Sequence, residues 1–366
     1  MLKKILIFLC LLFQLLTLLC LSGSLISPQH IAISDLLYFA FPYLLFPAII
    51  SSLIVVFLST KSHFKIAAFL MLFLFLAQSR FFISVNLSGS VQKSENAIKV
   101  MSYNVNNFGL YSWDMNIEIR DSIMAFIKSE DPDILFFQDF FTTFDGALNN
   151  IAYLQDKLNY NHFAFSPTLT NRKGHQWGLA VFSRFPLEKE LFVPFQSTKK
   201  EANTNGLQIL NAQINTNEKI YLFNYHLESY KLGSRFQLDA NQNYRKVNWW
   251  FKNMKPIILH MLPSMKEKMK QAKIVSNHLD QKKYPVIAAG DMNDIPGSST
   301  YTTIHNKLYD TALSGNSFFP YTIKSFPPFF RIDYISSSLE WQIVDYKVKK
   351  IKYSDHYPIV STLQLK

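Results

Sequence analysis

The sequence predicts an α+β domain of sheet layers covered by helices, carried behind three transmembrane helices. Three observations predict it. Apolar blocks fill most of the first 90 residues, nearly all the charge lies after them, and from residue 97 the chain alternates short apolar runs with polar loops and a few helical stretches. The 366 residues suffice for one large domain or two ordinary ones.

The first apolar block, "ILIFLCLLFQLLTLLCLSGSLI" at residues 5–26, and the second, "LLYFAFPYLLFPAIISSLIVVFL" at 36–58, carry no charge. Each meets the roughly 20 residues needed to cross a bilayer core. The third, "FKIAAFLMLFLFLAQSRFFISV" at 64–85, has Arg80 inside it, near enough to one end to reach the headgroups. Pro42 and Pro47 in the second block are tolerated in a membrane helix. A cleaved signal peptide is the alternative for the first block, but the apolar run is long and no A-x-A-like site follows it. "TLLC" before Cys20 lacks the small residue that a lipid-attachment site wants.

Lysine placement sets the expected orientation. Lys3 and Lys4 precede the first span, "SPQHIAISD" after it has no Lys or Arg, and "STKSHFK" after the second span has two Lys. The amino terminus is therefore expected inside and residues 91–366 on the extracytoplasmic side, as a domain separate from the anchor, residues 1–90. Cys10 and Cys20 both fall in the first span, so the exported domain can hold no disulfide and its stability must come from its core. Five basic residues and one acidic residue fall in the first 90, which leaves 32 basic and 25 acidic residues and a formal charge of +7 beyond them.

Within 91–366 the expected strands are "AIKVMSYNV", "DILFFQD", "GLAVFSR", "LQILNAQI", "KIYLFNYHL", "PVIAAGD", "FRIDYISS", "WQIVDYKV" and "PIVSTLQL". Helices are expected at 116–129, 145–158 and 264–280. The last starts at Ser264 and Glu267 in capping-box spacing, with Met265, Met269, Ala272, Val275 and Leu279 on one face. There is no internal repeat and no low-complexity tract.

Several strands end in polar residues. "KVMSYNVNNF" delivers Asn104 and Asn106, "DILFFQDF" delivers Asp139 and "YLFNYHLES" delivers His226. "YPVIAAGDMNDIP" at 284–296 empties a buried-strand pattern into Asp291, Asn293 and Asp294; "FRIDYI" holds Asp333 and "YSDHYPIV" holds Asp355 and His356. Asp and Asn often do no more than make a turn, and a lone histidine is commonly a hydrogen-bonded core residue. An EF-hand calcium loop is excluded at 291, because Ile295 and Pro296 stand where a ligand and a glycine are needed. Asp333 between Ile332 and Tyr334 is a carboxylate in an apolar strand, which is costly unless paired. A histidine is one such partner.

In order, "SYNV", "FQD", "NYHLES", "GDMND", "RIDYI" and "SDHYPI" resemble the blocks of the endonuclease/exonuclease/phosphatase superfamily, which includes DNase I-like nucleases, neutral sphingomyelinases and inositol polyphosphate phosphatases. The resemblance covers residues 97–366 and implies a four-layer αββα sandwich with its site at one edge of two packed sheets. It implies a metal held by Asp139, with Asn104 and Asp355 close to it. His356 would act on the attacking water or the phosphoryl group, oriented by Asp333. Asp291 and Asn293 would position the nucleophile and hold a phosphoryl oxygen, and His226 matches a second histidine that serves as acid or phosphate ligand. The family usually has Glu where Asp139 follows Gln138. Asp is one methylene shorter, so the metal must shift or bind through water. No acidic partner for His226 is identifiable from the blocks.

The residues fit that chemistry. Phosphodiester hydrolysis needs a cation on the phosphoryl oxygens, a base for the water and stabilisation of the leaving oxygen. Hard oxygen donors suit Mg2+, with Mn2+ as the alternative, and a domain without cysteine does not suit a soft zinc site. The expected function is a membrane-anchored, Mg2+-dependent phosphoesterase. Nucleic acid and lipid or small phosphoester substrates both remain open. The charge of +7 suits nucleic acid and an anionic bilayer alike, while only six of the 32 basic residues are Arg, the residue favoured for base contacts. Residues 244–263, "YRKVNWWFKNMKPIILHMLP", read either as an aromatic-basic flap or as an amphipathic segment packed on its own domain. The alternative from another class is an inactive binding protein of the same fold.

Overall fold

A computed structural model of the chain describes all residues except 32, 85–91, 111–116, 199–202, 217, 233–246, 284, 316 and 325–329. Three apolar helices come first: α1 (Leu2–Ser22), α2 (Ser34–Leu58) and α3 (Ser62–Ser79). By length and composition all three can cross a membrane. Pro42 and Pro47 lie inside α2 without ending it. Phe57, Phe69 and Phe73 point outward from the helices, as lipid-facing side chains do. Arg80 stands just past the last turn of α3, its guanidinium 5.0 Å from the Phe81 ring, so the helix ends before this charge, while Lys65 falls in its first turn.

Next come β1 (Ile83–Ser84), β2 (Ile98–Asn104), α4 (Ile117–Glu130), β3 (Ile134–Thr142), α5 (Asn150–Leu158), β4 (His162–Thr170), β5 (Gln176–Ser183), β6 (Leu187–Pro194), β7 (Gly206–Gln213) and β8 (Lys219–His226). The remainder is α6 (Val247–Leu279), β9 (Val286–Asp291), α7 (Ser299–Ile304), β10 (Tyr309–Asp310), β11 (Ser317–Phe318), β12 (Asp333–Ser337), β13 (Trp341–Val348) and β14 (Ile359–Leu365). Among the described residues there are two six-stranded sheets, ordered β13-β14-β2-β3-β5-β4 and β10-β12-β9-β8-β7-β6, and a short β1-β11 pair. Only β2-β3 and β8-β9 pair in parallel.

Alternation along the strands builds four layers. Val100, Phe136, Val181, Leu210, Leu222, Ile287 and Ile335 meet between the sheets. Met101, Tyr103, Leu135 and Phe137 face the other way, onto Ile123, Met124 and Ile127 of α4 and Leu154 of α5. On the second sheet Leu207, Phe223 and Ala288 face Ala272, Val275 and Leu279 of α6. A period of two in the strands and 3.6 in the helices thus gives the αββα order. Each of these large apolar side chains contributes roughly 1.5–3 kcal/mol by leaving water.

All nine strands expected from the sequence form. Two further long strands, β4 and β6, are edge strands. "HFAFSPTLT" contains Pro167, and "LEKELFVP" keeps its charged middle exposed, features that edges admit and that hide a strand from a hydrophobic pattern. The second expected helix starts five residues late, at Asn150, because Gly146 takes φ +73° and Asn149 caps the helix by accepting from the Ala152 N–H at 3.0 Å. The third begins 17 residues early. Ser264 is not a cap but lies in mid-helix, 3.3 Å from the Thr198 hydroxyl, and α6 runs through Pro256 and Pro263. Its first half stays helical because Ile257, Met261 and Met265 pack with Leu232, Tyr230 and Trp249, and with Leu36 and Phe39 of α2. That favours the packed reading of 244–263 over a free flap; residues 244–246 and the side chains of Val247, Asn248, Trp250 and Phe251 lie outside the described residues.

Arg331 and Asp310 are buried as a two-point ion pair, Nη2–Oδ2 at 2.7 Å and Nη1–Oδ1 at 3.0 Å, with the Tyr301 hydroxyl donating to the same carboxylate. Asp310→Ala is expected to destabilise the protein by about 3–5 kcal/mol, because it strands a buried guanidinium. Urea or thermal unfolding of the full chain checks this, and a cost under 1 kcal/mol would contradict it.

Candidate active site

Strand parity brings the polar side chains together. On β8, Ile220 and Leu222 face the space between the sheets, so His226 does too. On β9, Ile287 and Ala289 face inward, which puts Asp291 on that side; on β12, Ile335 does the same for Asp333. On β2, Ile98 and Val100 set the inward face that ends in Asn104. The ladder aligns His226 with Asp291 and Asp291 with Asp333, one rung across three neighbouring strands. Gly290 permits the rung, since a Cβ there would run into the backbone of Tyr225 on β8.

Asp291 is the hub. Its Oδ2 accepts from Asn104 Nδ2 at 3.0 Å and lies 3.6 Å from His226 Nε2 and 3.8 Å from His356 Nε2. Its Oδ1 accepts from the Asn293 N–H at 2.8 Å, and Asn293 Nδ2 donates to the Leu227 carbonyl at 3.0 Å. Burial, reinforced by the charge of Asp333 and opposed by both histidines, pushes the Asp291 carboxyl up to about 6.

His356 Nδ1 sits 3.0 and 3.2 Å from the two oxygens of Asp333. Ser354 fixes the loop that carries it, donating to the Asn104 carbonyl at 2.8 Å and accepting from the His356 N–H at 3.1 Å. Burial opposes a charge on His356, but the carboxylates of Asp333, Asp291 and Asp355 outweigh it and hold its pKa well above 6.5. The pair meets the requirement for Asp333 stated above: its buried charge has a partner.

His226 has an orienting chain that the sequence did not reveal. Its Nδ1 lies 3.1 Å from the Thr204 hydroxyl, which donates to Asp139. Thr204 can then only accept from His226, so the Nδ1–H tautomer is set and Nε2 faces Asp291. Asp139 itself is 3.7 Å from His226 Nδ1. Asp139 breaks the β3 alternation: it takes φ +50° at a bulge between Phe137 and Phe140, which turns its carboxylate into the site while Gln138 stays buried against Asn224 at 2.8 Å.

All of these open on one cavity of about 580 Å3, lined by Asn104, Asp139, His226, Asp291, Asn293, Asp355 and His356. Asp333 stands behind His356, and Asp355 is exposed on the rim. Every site residue expected from the sequence is therefore in this cavity or bonded to one that is. The sequence missed the apolar part of the lining, where Phe141 and Trp177 have ring centroids 5.1 Å apart and Leu148 and Leu169 also line the cavity. It also missed Lys268 of α6, fully buried, whose ammonium donates to the Asn293 carbonyl, lies 3.8 Å from Asp294 and sits 3.7 Å over the Tyr230 ring. Burial pulls this ammonium below its ordinary 10.5, against the pull of Asp294 and its neighbours. A signal existed: Lys268 falls on the same helical face as Met265, Ala272 and Val275.

Two stacked sheets between helix layers, with an Asp–His pair and a second histidine sharing one carboxylate at the strand ends, define a DNase I-like phosphoester hydrolase. The chain belongs to the endonuclease/exonuclease/phosphatase family, whose model matches residues 101–356. Similar solved structures include an endonuclease/exonuclease/phosphatase from Beutenbergia cavernae (18% identity, 74% of this chain and 72% of that one covered, TM-score 0.52). The human nocturnin catalytic domain with bound sulfate anion is another (16%, 76% and 97%, TM-score 0.51). A family protein from Leptotrichia buccalis also matches (18%, 73% and 100%, TM-score 0.50). At such identities these likenesses speak for the fold alone. A search of curated protein sequences gave no match.

Proposed function

We propose that the protein is a membrane-anchored, Mg2+-dependent phosphoesterase that hydrolyses phosphodiester or phosphomonoester bonds by in-line attack of water. The observation that carries this reading is the convergence of His226, Asp291 and the His356–Asp333 pair on one cavity. Residues 1–90 are the anchor and 91–366 the catalytic domain, on the extracytoplasmic side. The end of α1, the start of α2 and the residues after α3 all meet the domain, through Leu21, Tyr38 and Phe82. The domain thus sits at one end of the three helices, and its side of the membrane rests on the lysine pattern.

The donors fit a divalent cation. Asp291, Asp333 and His356 offer ligand atoms within 4.8 Å of one another, and the buried negative charge at Asp291 is what a cation would relieve. Asn104, Asp139 and Asp355, the proposed ligands, line the same cavity with oxygen donors and no cysteine, a set suited to Mg2+ or Mn2+. The ion would supply Lewis-acid polarisation of the phosphoryl oxygen. The chain's own groups do the rest. His356 and His226 hold and move protons at the phosphoryl group, Asp333 and Thr204 hold their rings in place, and Asp291 and Asn293 orient the water and a phosphoryl oxygen.

The full chain, purified in detergent, is expected to hydrolyse a bis-phosphodiester chromogen with Mg2+ or Mn2+ and to lose at least about 100-fold of that rate in EDTA, recovering on metal addition. Thermal unfolding gives an independent readout: saturating Mg2+ at about 100 Kd is expected to add roughly 2.7 kcal/mol. A rate indifferent to both chelator and metal would overturn the metal assignment, and no rate under any condition would leave the binding-protein reading. A panel of DNA, RNA, sphingomyelin and phosphoinositides then separates the substrate classes.

A further inference from the structure

We propose that Asp35, in the first turn of α2, is a positioning residue for the active-site loop 291–294, which makes the apolar anchor and the site one mechanical unit. The proposal rests on the hydrolase reading above for its kinetic consequence, but its structural part stands separately.

The loop that carries Asp291 and Asn293 continues through Asp294–Ser299 directly along the start of α2. Three consecutive contacts tie it there. The Tyr38 hydroxyl donates to the Pro296 carbonyl at 2.9 Å. Gly297, at φ +81°, lies so close that a Cβ would collide with the same hydroxyl. The Asp35 carboxylate accepts from the Ser299 hydroxyl. Between them Ile295 is packed with Tyr38, Phe41, Leu45, Phe330 and Ile332.

The other side of the loop is held as firmly. The Tyr334 hydroxyl donates to the Asp294 carbonyl at 2.9 Å, and Lys268 donates to the Asn293 carbonyl. Among the described residues, Asp294 Oδ2 is buried with no hydrogen bond and has Lys268 as its ion-pair partner, at 3.8 Å. Asn293, with φ +51°, therefore sits at the end of a segment clamped between α6, β12 and α2.

A helix that only crossed a bilayer would have no use for a carboxylate that is 1% exposed in its first turn, because such a charge is expensive to bury. Here it closes the clamp. Ser299, the first residue of α7, lies six positions after half-buried Asn293, and the residues between them, 294–298, are all buried. A shift of about 1 Å at a reacting group can cost as much as 100-fold in rate. Asp35 is not among the residues that line the cavity, and its hydrogen bond goes to Ser299, so its effect on the site is indirect, through the clamped loop.

The test uses the full chain in detergent or nanodiscs, with Asp35→Ala, Asp35→Asn, Tyr38→Phe and, as a control on the far end of α2, Phe57→Ala. Asp35→Ala is expected to lower kcat by about 10- to 100-fold with KM within about twofold. Asp35→Asn, which keeps an acceptor for Ser299, should recover part of the loss, and Phe57→Ala should match wild type. Hydrogen exchange by mass spectrometry should show faster exchange in peptides covering 291–300 and unchanged exchange in β3 and α4. Unchanged exchange at 291–300, or a rise spread evenly over the domain, overturns the proposal. If Asp35→Ala does not fold, Tyr38→Phe decides, with the same local rise expected from loss of one hydroxyl. If wild type hydrolyses nothing, the hydrolase reading fails and the exchange data alone judge the clamp.

Discussion

Replacing His356 with alanine is expected to lower turnover of a chromogenic phosphodiester by about 100- to 10,000-fold, the range for loss of a positioned acid–base group. His356 Nδ1 is committed to Asp333, so Nε2 is the atom left for the cavity. Removing the ring takes away that proton site and also strands the Asp333 carboxylate, which is 1% exposed. The variant should therefore lose stability as well, by about 3–5 kcal/mol. His356→Gln, which can still donate to Asp333, should regain most of the stability and none of the turnover. Stopped assays alongside thermal unfolding separate the two effects. A variant with normal kcat and only a raised KM would show that His356 binds substrate without taking part in proton transfer.

Asp291→Asn is the second large effect, with kcat expected to fall roughly 100- to 1,000-fold while the fold is kept. The amide oxygen can still accept from the Asn293 N–H, so the loop retains its turn. What disappears is the negative charge shared by Asn104, His226 and His356. That charge helps hold the His356 pKa well above 6.5, so its removal weakens both the ring placement and the protonation of the site. Asp291→Ala, which also frees the Asn293 N–H, should be worse in both activity and exchange at 291–294. Equal rates for wild type and Asp291→Asn would remove Asp291 from the mechanism.

Legibility of the site in the chain varied with how the side chains are delivered. Asn104, His226, Asp291 and Asp333 all end or begin strands in phase with inward apolar residues, so alternation alone carries them to one face. Asp139 is out of phase, and only the bulge at Phe137–Phe140 turns it inward. Thr204 precedes β7 in a segment with no apolar rhythm, and its role exists only because β7 and β8 bring it beside His226. The wall of Phe141 and Trp177 reads in sequence as ordinary core and becomes a cavity lining through the β3–β5 pairing. The edge strands β4 and β6 and the long start of α6 escaped local rules, since edges admit proline and charge, and burial on α2 outweighs two helix prolines.

By itself the amino-acid sequence determined the apolar helices, the sheet-forming runs and the ordered polar blocks that mark the family, because hydrophobic period and turn chemistry are local properties of a chain. Only the tertiary structure decided that Thr204 and Asp139 orient His226, and that Asp35 of an apolar helix reaches Ser299 beside the catalytic loop. Those relations depend on strand register and on contacts between residues 250 or more positions apart, such as Asp35 with Ser299 and Ser354 with Asn104. No local pattern encodes such contacts; packing of the whole core does.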